Sequence, residues 1–325
     1  MNNASIKIIN RYEDLPELDN SNFFHSPDLF KIIESTPRLT PYMVVVVNRE
    51  GKVLSHLLAM LRRRGSLLPP YIFSQGRIYG EGVYADEEQK NELFGLMLSA
   101  ITKHLQYKMC LYIEFSDISK KMFGYRQFRY NGYSPVPWLQ IHNSLHSMEP
   151  ELRLDERTLQ RINKSYEAGI ITREATTDEE ILKYHKQLRS YYRFRIQRYI
   201  PDSKFFLELS RLNCSKTYIT TYKKHIVGGS TTISYNNNTY LWFAYAKNKS
   251  YPFLAPDLLT LWSAIKHSHS TGKDHIFFLN IGLPFKRNKY RDFILNFGGK
   301  PVSNYRWFHF TFKWMNRLFS WFYSE

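Results

Sequence analysis

The chain has 325 residues, enough for about two domains of ordinary size, each with its own buried core. Apolar residues make up 43% and charged residues 23% of the composition, which excludes a disordered chain, and two distant cysteines exclude a disulfide framework or a zinc cluster. The net charge of +16 is concentrated in residues 151–325, which hold 28 Lys/Arg and 14 Asp/Glu against 17 and 15 in residues 1–150.

The first residues, MNNASIKIIN, lack the basic-then-apolar order of a signal peptide. The sequence has no uninterrupted apolar run of about 18 residues, the length that a membrane-spanning helix needs. The scarcity of cysteines fits a reducing compartment. We therefore expect a cytoplasmic protein without a spanning helix.

Two parts of the chain read as copies of one mixed α/β unit. The first begins at Leu29 with LFKIIESTPRLTPYMVVVVNREGKVLSHLLAML, which predicts the end of a helix, a strand at 44–47, a tight turn and a second strand. FGLMLSAITKHLQYKMCLYIEF then predicts an amphipathic helix and another strand.

The second copy follows a helix, a strand and a helix. Residues 155–170 predict a helix that ends at Gly169, IITREA predicts a strand, and TTDEEILKYHKQL opens a helix on a Thr/Asp cap. FFLELSRLNCSKTYITTYKKHIVGGSTTISY and LLTLWSAIKHSHSTGKDHIFFLNI then repeat the order of the first copy. We expect a boundary between residues 147 and 153, and two α/β domains with mixed sheets, 1–150 and 151–325.

The stretch FLNIGLPFKRNKYRDFILNFGGK, residues 278–300, runs from a buried strand into positive charge. It holds five basic residues and one acid. We interpret it as the edge of a site for an anionic substrate. The candidate anions are a nucleic acid, a phosphorylated cofactor, a nucleotide-sugar lipid and a membrane surface, and the alternative is a solubilising surface.

The C-terminal segment has nine aromatic residues between Trp307 and Tyr323. WFHFTF alternates like a strand, and KWMNRLFSWFY predicts a short helix. One face of this helix should hold Trp314, Leu318, Trp321 and Phe322. Aromatic residues beside Lys and Arg suit peripheral contact of residues 307–323 with a membrane, and docking on the protein's own surface is the alternative.

Four stretches, taken in order, resemble the Fem-type peptidyltransferases and the related acetyltransferase-like proteins of envelope polysaccharide clusters. They are LQRINKSYEAGI, PDSKFFLEL, YLWFAYAKNKSYPFLAPDLLTLWSAI and FFLNIGLPFKRNKY. The resemblance covers most of the second half, and FFHSPDLF carries it in the first. It implies tandem GNAT-like (acyl-CoA N-acyltransferase) domains, each a mixed β-sheet flanked by helices.

The resemblance also implies an amide-forming transfer without a metal. An amine attacks an acyl group activated as a thioester in acyl-CoA or as an ester in aminoacyl-tRNA. Such chemistry needs proximity, a deprotonated amine and stabilisation of a developing oxyanion. The implied acceptor is an amino group of a cell-envelope precursor, such as an amino sugar or a peptidoglycan peptide.

Two residues of the closing strand carry the implied catalytic role. Lys286 lies where the family has the lysine of its Phe/Tyr-Lys pair, which implies that it stabilises negative charge on the donor or on the tetrahedral intermediate. Phe285 would shape the pocket. Asn280 stands where relatives often have an acid, so it cannot act as the base. A surface lysine at a strand end is the alternative for Lys286.

Other basic and aromatic residues are candidates for substrate binding. Arg161 and Lys164, one turn apart on a helix, would hold a diphosphate or remain solvated. Arg198, interleaved with aromatic residues in RFRIQRY, suits a nucleic-acid backbone or covers a core with its stem. Trp242 and Tyr245 flank a site entrance or pack in the core.

A second hypothesis follows from the family motifs that this sequence lacks. The glycine-rich CoA signature, Arg/Gln-x-x-Gly-x-Gly/Ala before a helix, is replaced by APDLL. With Asn280, this favours a non-catalytic module that retains the doubled fold and binds RNA or an anionic membrane surface. A catalytic copy should have splayed central strands and a channel that reaches Lys286, whereas a binding module could have this channel plugged.

Overall fold

A computed structural model of the protein describes residues 4–65, 72–118, 123–193, 199–284 and 287–323. These residues form two compact units, the first from the described parts of 1–138 and 303–325 and the second from those of 139–302. This differs from the predicted division into 1–150 and 151–325. The C-terminal segment belongs to the first unit because Trp307 is fully buried in that unit's core, stacked on Phe128.

The described residues contain the following strands: β1 (Ser5–Ile9), β2 (Leu39–Val47), β3 (Val53–Gly65), β4 (Ile72–Tyr79), β5 (Val83–Tyr84), β6 (Cys110–Ser116), β7 (Ser134–Ser144), β8 (Ile171–Glu174), β9 (Ser215–Tyr222), β10 (His225–Tyr235), β11 (Asn238–Ala246), β12 (His275–Gly282) and β13 (Lys300–Phe310). The helices are α1 (Pro27–Ser35), α2 (Lys90–Tyr107), α3 (Tyr125–Tyr130), α4 (Glu156–Glu167), α5 (Asp178–Tyr192), α6 (Ser203–Ser210), α7 (Pro256–Ser270), α8 (Lys289–Leu295) and α9 (Lys313–Tyr323). The predicted helices and strands of both copies are confirmed.

In the first unit the strand order is β1-β2-β3-β4-β6-β13, and β5 pairs with β3. The strands β4 and β6 are parallel and are joined by α2, while the other pairs are antiparallel. α2 covers the sheet because it repeats buried apolar side chains at helical spacing, at Leu93, Met97, Ile101 and Leu105.

Within the stretch FFHSPDLF, His25 connects the start of α1 to the sheet. This buried side chain precedes α1, and its ring nitrogens lie 3.0 Å from the amide nitrogen of Leu58 and 3.1 Å from that of Gly82. Burial lowers the pKa of His25 to about 3, so the ring is neutral. The stretch therefore fixes the start of α1 to the sheet.

In the second unit the strand order is β7-β12-β11-β10-β9-β8. Two adjacent glycines in β10 let helices approach both faces. A Cβ on Gly228 would lie 2.4 Å from Oγ1 of Thr260 in α7, and a Cβ on Gly229 would lie 2.7 Å from the ring of Tyr184 in α5. Because successive strand residues point to opposite faces, α7 and α5 cover opposite sides of this sheet.

The C-terminal segment forms the predicted strand and helix, but its two ends differ in burial. Trp307 is buried in β13, whereas Trp314 and Trp321 of α9 are exposed. Most of the surface of these two side chains is therefore open to solvent, and the side chain of Phe322 lies outside the described residues. Among the described residues, none of the helices combines the length and the apolar character needed to cross a bilayer.

Candidate functional site

The central strands of the second unit separate part of the way along their length. β11 and β12 pair in parallel from Asn238↔His275 to Leu241↔Phe278. Within the described register, β11 continues to Ala246 and β12 to Gly282 without further pairs between them. We call these unpaired edges of β11 and β12, beyond Leu241 and Phe278, the cleft.

Irregularities in the neighbouring strands explain the separation. The register of β10 against β11 shifts between Thr231 and Thr232, and that of β12 against β7 shifts between Phe278 and Gly282. Each shift bends its strand at the level where the pairing of β11 with β12 ends. The cleft is therefore built into the sheet and does not depend on a loop.

Aromatic side chains of α5 and α6 line one side of the unpaired end of β11. Trp242 is buried with its ring centroid 5.5 Å from that of Phe205. The ring of Tyr245 lies 5.6 Å from that of Tyr184, and Tyr192 donates a hydrogen bond from its hydroxyl to the Ala244 carbonyl at 2.9 Å. Both predicted residues of β11 thus pack beside the cleft.

The Tyr245 hydroxyl differs from its neighbours in lacking a partner. The side chain is 3% exposed, and its buried oxygen has no hydrogen-bond partner among the described residues. Burial raises the pKa of this phenol, so the hydroxyl stays protonated. It is a donor held in an apolar setting next to an opening between strands.

The segment after β12 is held by two side chains that the sequence interpretation missed. Asn288 donates from Nδ2 to the Ile281 carbonyl, and its Oδ1 accepts from the amide of Tyr290 at 3.0 Å. Arg291 donates from its guanidinium to the carbonyl of Leu283 at 2.9 Å. An asparagine just before an apolar-periodic run is a helix N-cap signal that would have identified Asn288.

The two predicted catalytic residues, Phe285 and Lys286, lie outside the described residues. So does Arg198, and so does the side chain of Asn280, whose backbone lies in the unpaired part of β12. Their predicted roles stay predictions. What the structure describes is that the chain on either side of Phe285 and Lys286 is anchored by the hydrogen bonds of Arg291 and Asn288.

The predicted phosphate pair lies elsewhere. Arg161 and Lys164 are exposed on α4. The opposite face of α4 lines, with α7, a cavity of about 530 Å³ to which neither residue contributes. α4 and α7 share one side of the sheet, whereas Tyr245 packs against α5 on the other side, so the structure does not bring the pair together with Tyr245.

Lys247 is a cation that the sequence interpretation passed over. It directly follows β11, at the end of the unpaired segment, and its amide donates to the Val227 carbonyl at 2.8 Å. Partial burial lowers the pKa of Lys247. Lys247 could not be identified from the sequence, because this half is rich in basic residues and no local motif distinguishes Lys247 from solvated lysines.

The N-terminus of α7 is already occupied by the protein's own groups. Pro256 has no amide hydrogen, the amide of Asp257 donates to Oδ1 of Asn248 at 3.3 Å, and the amide of Leu258 donates to the Asp257 carboxylate at 2.9 Å. A carboxylate therefore takes the place at which a helix terminus would hold an anion. This agrees with the absence of the glycine-rich CoA signature.

The corresponding strands of the first unit are closed. β4 and β6 pair from Ser74↔Cys110 to Tyr79↔Ser116, and the register partners Arg77 and Glu114 form a buried ion pair between them. Arg306 of β13 donates to the same carboxylate at 2.9 Å. Burial favours the neutral acid, but the charges of Arg77 and Arg306 outweigh it and lower the pKa of Glu114 to about 2.

In the described ranges, His, Cys, Asp and Glu side chains do not gather in a group of three that could hold a metal ion. Among the described residues, the candidate site comprises the edges of β11 and β12, the Tyr245 hydroxyl and Lys247. These groups can orient an extended acyl donor and stabilise negative charge.

No family model and no curated protein matches the sequence. Solved structures do match. FemX aligns with a TM-score of 0.59 and 9% identity over 89% of this chain and 97% of FemX. A tandem GNAT protein from the clavulanic acid biosynthesis pathway aligns at 0.57 and 10% identity over 95% of this chain and 99% of that one.

L-PGS from Bacillus licheniformis is also similar, with a TM-score of 0.55 and 10% identity over 92% of both chains. Identities this low establish architecture and leave activity open. Each unit has mixed strands, flanking helices and a parallel pair bridged by a helix, which matches the fold that the resemblance implied. The chain has the tandem GNAT fold.

Proposed function

We propose that the protein is an N-acyltransferase whose second unit transfers an acyl or aminoacyl group to an amino group. The observation that carries the proposal is the cleft between β11 and β12. Exposed backbone groups at a strand edge can take up an extended chain by β-strand addition. The first unit, whose β4 and β6 are paired along their length, would be a structural copy.

The chemistry needs one nucleophile and one stabilised oxyanion. The acceptor amine attacks the acyl carbon, a C–N bond forms, and the C–S or C–O bond to the carrier breaks. The amine loses a proton, and the carrier leaves as a thiol or a hydroxyl. The Tyr245 hydroxyl would donate to the oxygen that becomes negative in the tetrahedral intermediate.

The residues predicted from the sequence keep their roles in this proposal, and Lys247 is added to them. Lys286 would stabilise charge on the donor or intermediate, and Phe285 would shape the pocket. Lys247 and Arg198 would attract the phosphates of the donor. Asn280 has no basic form, so the acceptor amine would lose its proton to water or to the leaving group.

Between the two donor classes, the occupied terminus of α7 favours an aminoacyl ester on tRNA over acyl-CoA. Acyl-CoA needs a cradle for its diphosphate, and the amides of Asp257 and Leu258 are engaged by side chains. tRNA is held by a dispersed positive field. Residues 151–325 carry 28 Lys/Arg against 14 Asp/Glu, which supplies such a field.

The proposed acceptor is an amino group of a cell-envelope precursor, reached from the cytoplasmic side. The likeness in fold to FemX and to L-PGS supports this choice. Peripheral contact with the membrane through the C-terminal segment would bring the enzyme to a lipid-linked acceptor. The described helices include none that could span the bilayer, so the contact would be peripheral.

The experiment supplies the two donors separately. The protein is incubated with labelled acetyl-CoA or with tRNA charged with labelled amino acids, each with an extract of envelope precursors. We expect label in a new amide from charged tRNA. Label from acetyl-CoA alone would reverse the donor assignment and keep the transfer. A folded protein that transfers label from neither donor would refute the proposal.

One observation favours the second candidate function, a non-catalytic module that binds RNA or an anionic membrane. Trp242 and Tyr245 are both 3% exposed, so aromatic rings fill the side of the cleft that faces α5 and α6. A cleft filled in this way would bind ligands only on the outer surface. Binding of tRNA without any transfer from either donor would support this alternative.

A further inference from the structure

We propose that the first unit carries a docking surface for an anionic lipid bilayer, built from α9 and the two turns beside it. We name it the basic aromatic surface. Its large apolar side chains are solvent-exposed: Tyr107 80%, Met109 69%, Tyr130 90%, Trp314 65%, Leu318 48% and Trp321 72%. This extends the peripheral contact proposed above from one helix to three segments of the unit.

The first turn is joined to the start of α9 by hydrogen bonds. Thr311, two residues before α9, donates from its amide to the Leu111 carbonyl at 3.1 Å and from its hydroxyl to the Cys110 carbonyl. Met109 directly precedes these two carbonyl groups. The helix therefore begins next to the turn that presents Tyr107 and Met109.

The second turn is joined to α9 through Gly132. Asn316 of α9 donates from Nδ2 to the Gly132 carbonyl at 3.4 Å, and Nδ1 of His309 lies 3.1 Å from the same oxygen. Tyr130 ends α3 two residues earlier. The exposed rings of Tyr130 and of α9 consequently belong to one end of the first unit.

The helix itself has the geometry of an interfacial element. Trp314, Leu318 and Trp321 follow the spacing i, i+4, i+7 and share one face. α9 has 11 residues, too few to span a bilayer, so it would lie in the plane of the interface with this face in the lipid.

The charge of the surface selects the lipid. The stretches 103–113, 123–133 and 307–323 contain six Lys/Arg and neither Asp nor Glu. Among them Lys108, Arg129 and Arg317 are exposed. Clustered cations beside aromatic residues are attracted to anionic headgroups near the membrane, an attraction that neutral lipid does not offer.

The same features disfavour the other occupants. A second copy of the chain would bring two all-cationic surfaces face to face, which costs free energy. Nucleic acid would use the cations and rings, but Met109 and Leu318 would remain exposed. Met109 also has a left-handed backbone, with φ of +53°, where glycine or asparagine is usual. A bilayer accounts for the exposed apolar side chains and the cations together.

The test measures sedimentation of the full-length protein with vesicles, without donor or acceptor. One set is phosphatidylcholine alone, and the other is equal parts phosphatidylcholine and phosphatidylglycerol. We expect binding to the second set, weakened as added salt shortens the screening length. The double substitution Trp314→Ala with Trp321→Ala should lower the partition coefficient at least about tenfold. Arg129→Gln with Arg317→Gln should lower it on the anionic vesicles.

The matched control is Phe253→Ala, which removes a 97% exposed ring from the second unit and should leave vesicle binding unchanged. Equal binding of both vesicle sets, or unchanged binding of the tryptophan variant, would overturn the proposal. So would a dimer that the tryptophan substitutions dissociate without any lipid binding. This experiment does not measure transfer. A protein without acyltransferase activity could therefore still bind the vesicles, and a protein that does not bind them could still be an acyltransferase.

Discussion

At the residue scale, removal of the Tyr245 hydroxyl should lower activity while leaving stability nearly unchanged. A buried hydroxyl without a partner has lost its water and gained no hydrogen bond, so removing it costs little. We expect Tyr245→Phe to change the free energy of unfolding by less than about 1 kcal/mol. Acyl transfer should fall by about 10²-fold, because one oxyanion donor is lost.

A matched control for this variant is Tyr218→Phe. Tyr218 is also buried with an unpartnered hydroxyl, but it lines the cavity between α4 and α7. Urea unfolding and single-turnover transfer are measured on both variants. Equal loss of transfer in the two, or none in Tyr245→Phe, would remove the Tyr245 hydroxyl from the mechanism.

Lys286 is the other residue to which we assign chemistry. Lys286→Ala should lower turnover by about 10²-fold without unfolding the protein, because it removes a positive charge from the developing oxyanion or the donor. Lys289→Ala is the comparison, since Lys289 is exposed at the start of α8. Turnover is followed with the transfer assay and folding by circular dichroism. Unchanged turnover in Lys286→Ala would show that the lysine is a surface residue.

At the scale of elements, the stability of the second unit depends on the close packing of α7 and α5 against the glycines of β10. A methyl group on Gly228 would meet Thr260, so Gly228→Ala should destabilise the second unit by about 1–3 kcal/mol through overpacking. Gly95→Ala in α2 is the control, because its Cβ meets only the flexible Gln127 side chain and alanine favours a helix. Thermal unfolding compares them. A neutral Gly228→Ala would mean that α7 can move away from the sheet.

Local patterns predicted the elements well because their signals lie within the elements themselves. Asp155 and Thr177 accept hydrogen bonds as helix caps at the predicted starts of α4 and α5, and the turns of both hairpins fall where polar residues interrupt apolar runs. The separation of β11 from β12 could not be predicted in this way. It depends on register shifts against β10 and β7, which are set by pairing between distant parts of the chain.

The candidate site shows the same limit. YLWFAYA predicts a strand with buried aromatic residues, but the missing partner of the Tyr245 hydroxyl depends on where α5 lies. The ion pair of Arg77 with Glu114 could not be predicted either, because the parallel register of β4 and β6 brings the two residues together. Charges far apart in sequence give no sign of burial until the strands are placed.

At the scale of the whole molecule, Glu114 makes the stability of the first unit pH-dependent. Its pKa falls from 4.5 to about 2 on folding. The stabilisation, about 3 kcal/mol, is therefore fully present above pH 4.5 and is lost as the pH falls towards 2. Urea unfolding between about pH 5 and about pH 2 should show this loss.

The comparison is with Glu114→Gln, which lacks the titrating group. This variant should be less stable by about 3–5 kcal/mol at neutral pH, because Arg77 stays buried, and Arg306 partly buried, without the negative charge of Glu114. Its remaining pH dependence should be shallower than that of the wild type. Identical slopes in the two proteins would show that other carboxylates cause the acid sensitivity.

β13 follows the second unit along the chain and pairs with β6 of the first, where Trp307 is fully buried and its ring stacks on that of Phe128 at 4.4 Å. Trp307→Ala should destabilise the first unit by about 3–5 kcal/mol, because it leaves a cavity in that core. Amide hydrogen exchange of the full chain should then show faster exchange in β6 while β10 keeps its protection. Faster exchange in β10 alone would instead support the predicted boundary near residue 150, with the C-terminal segment in the second domain.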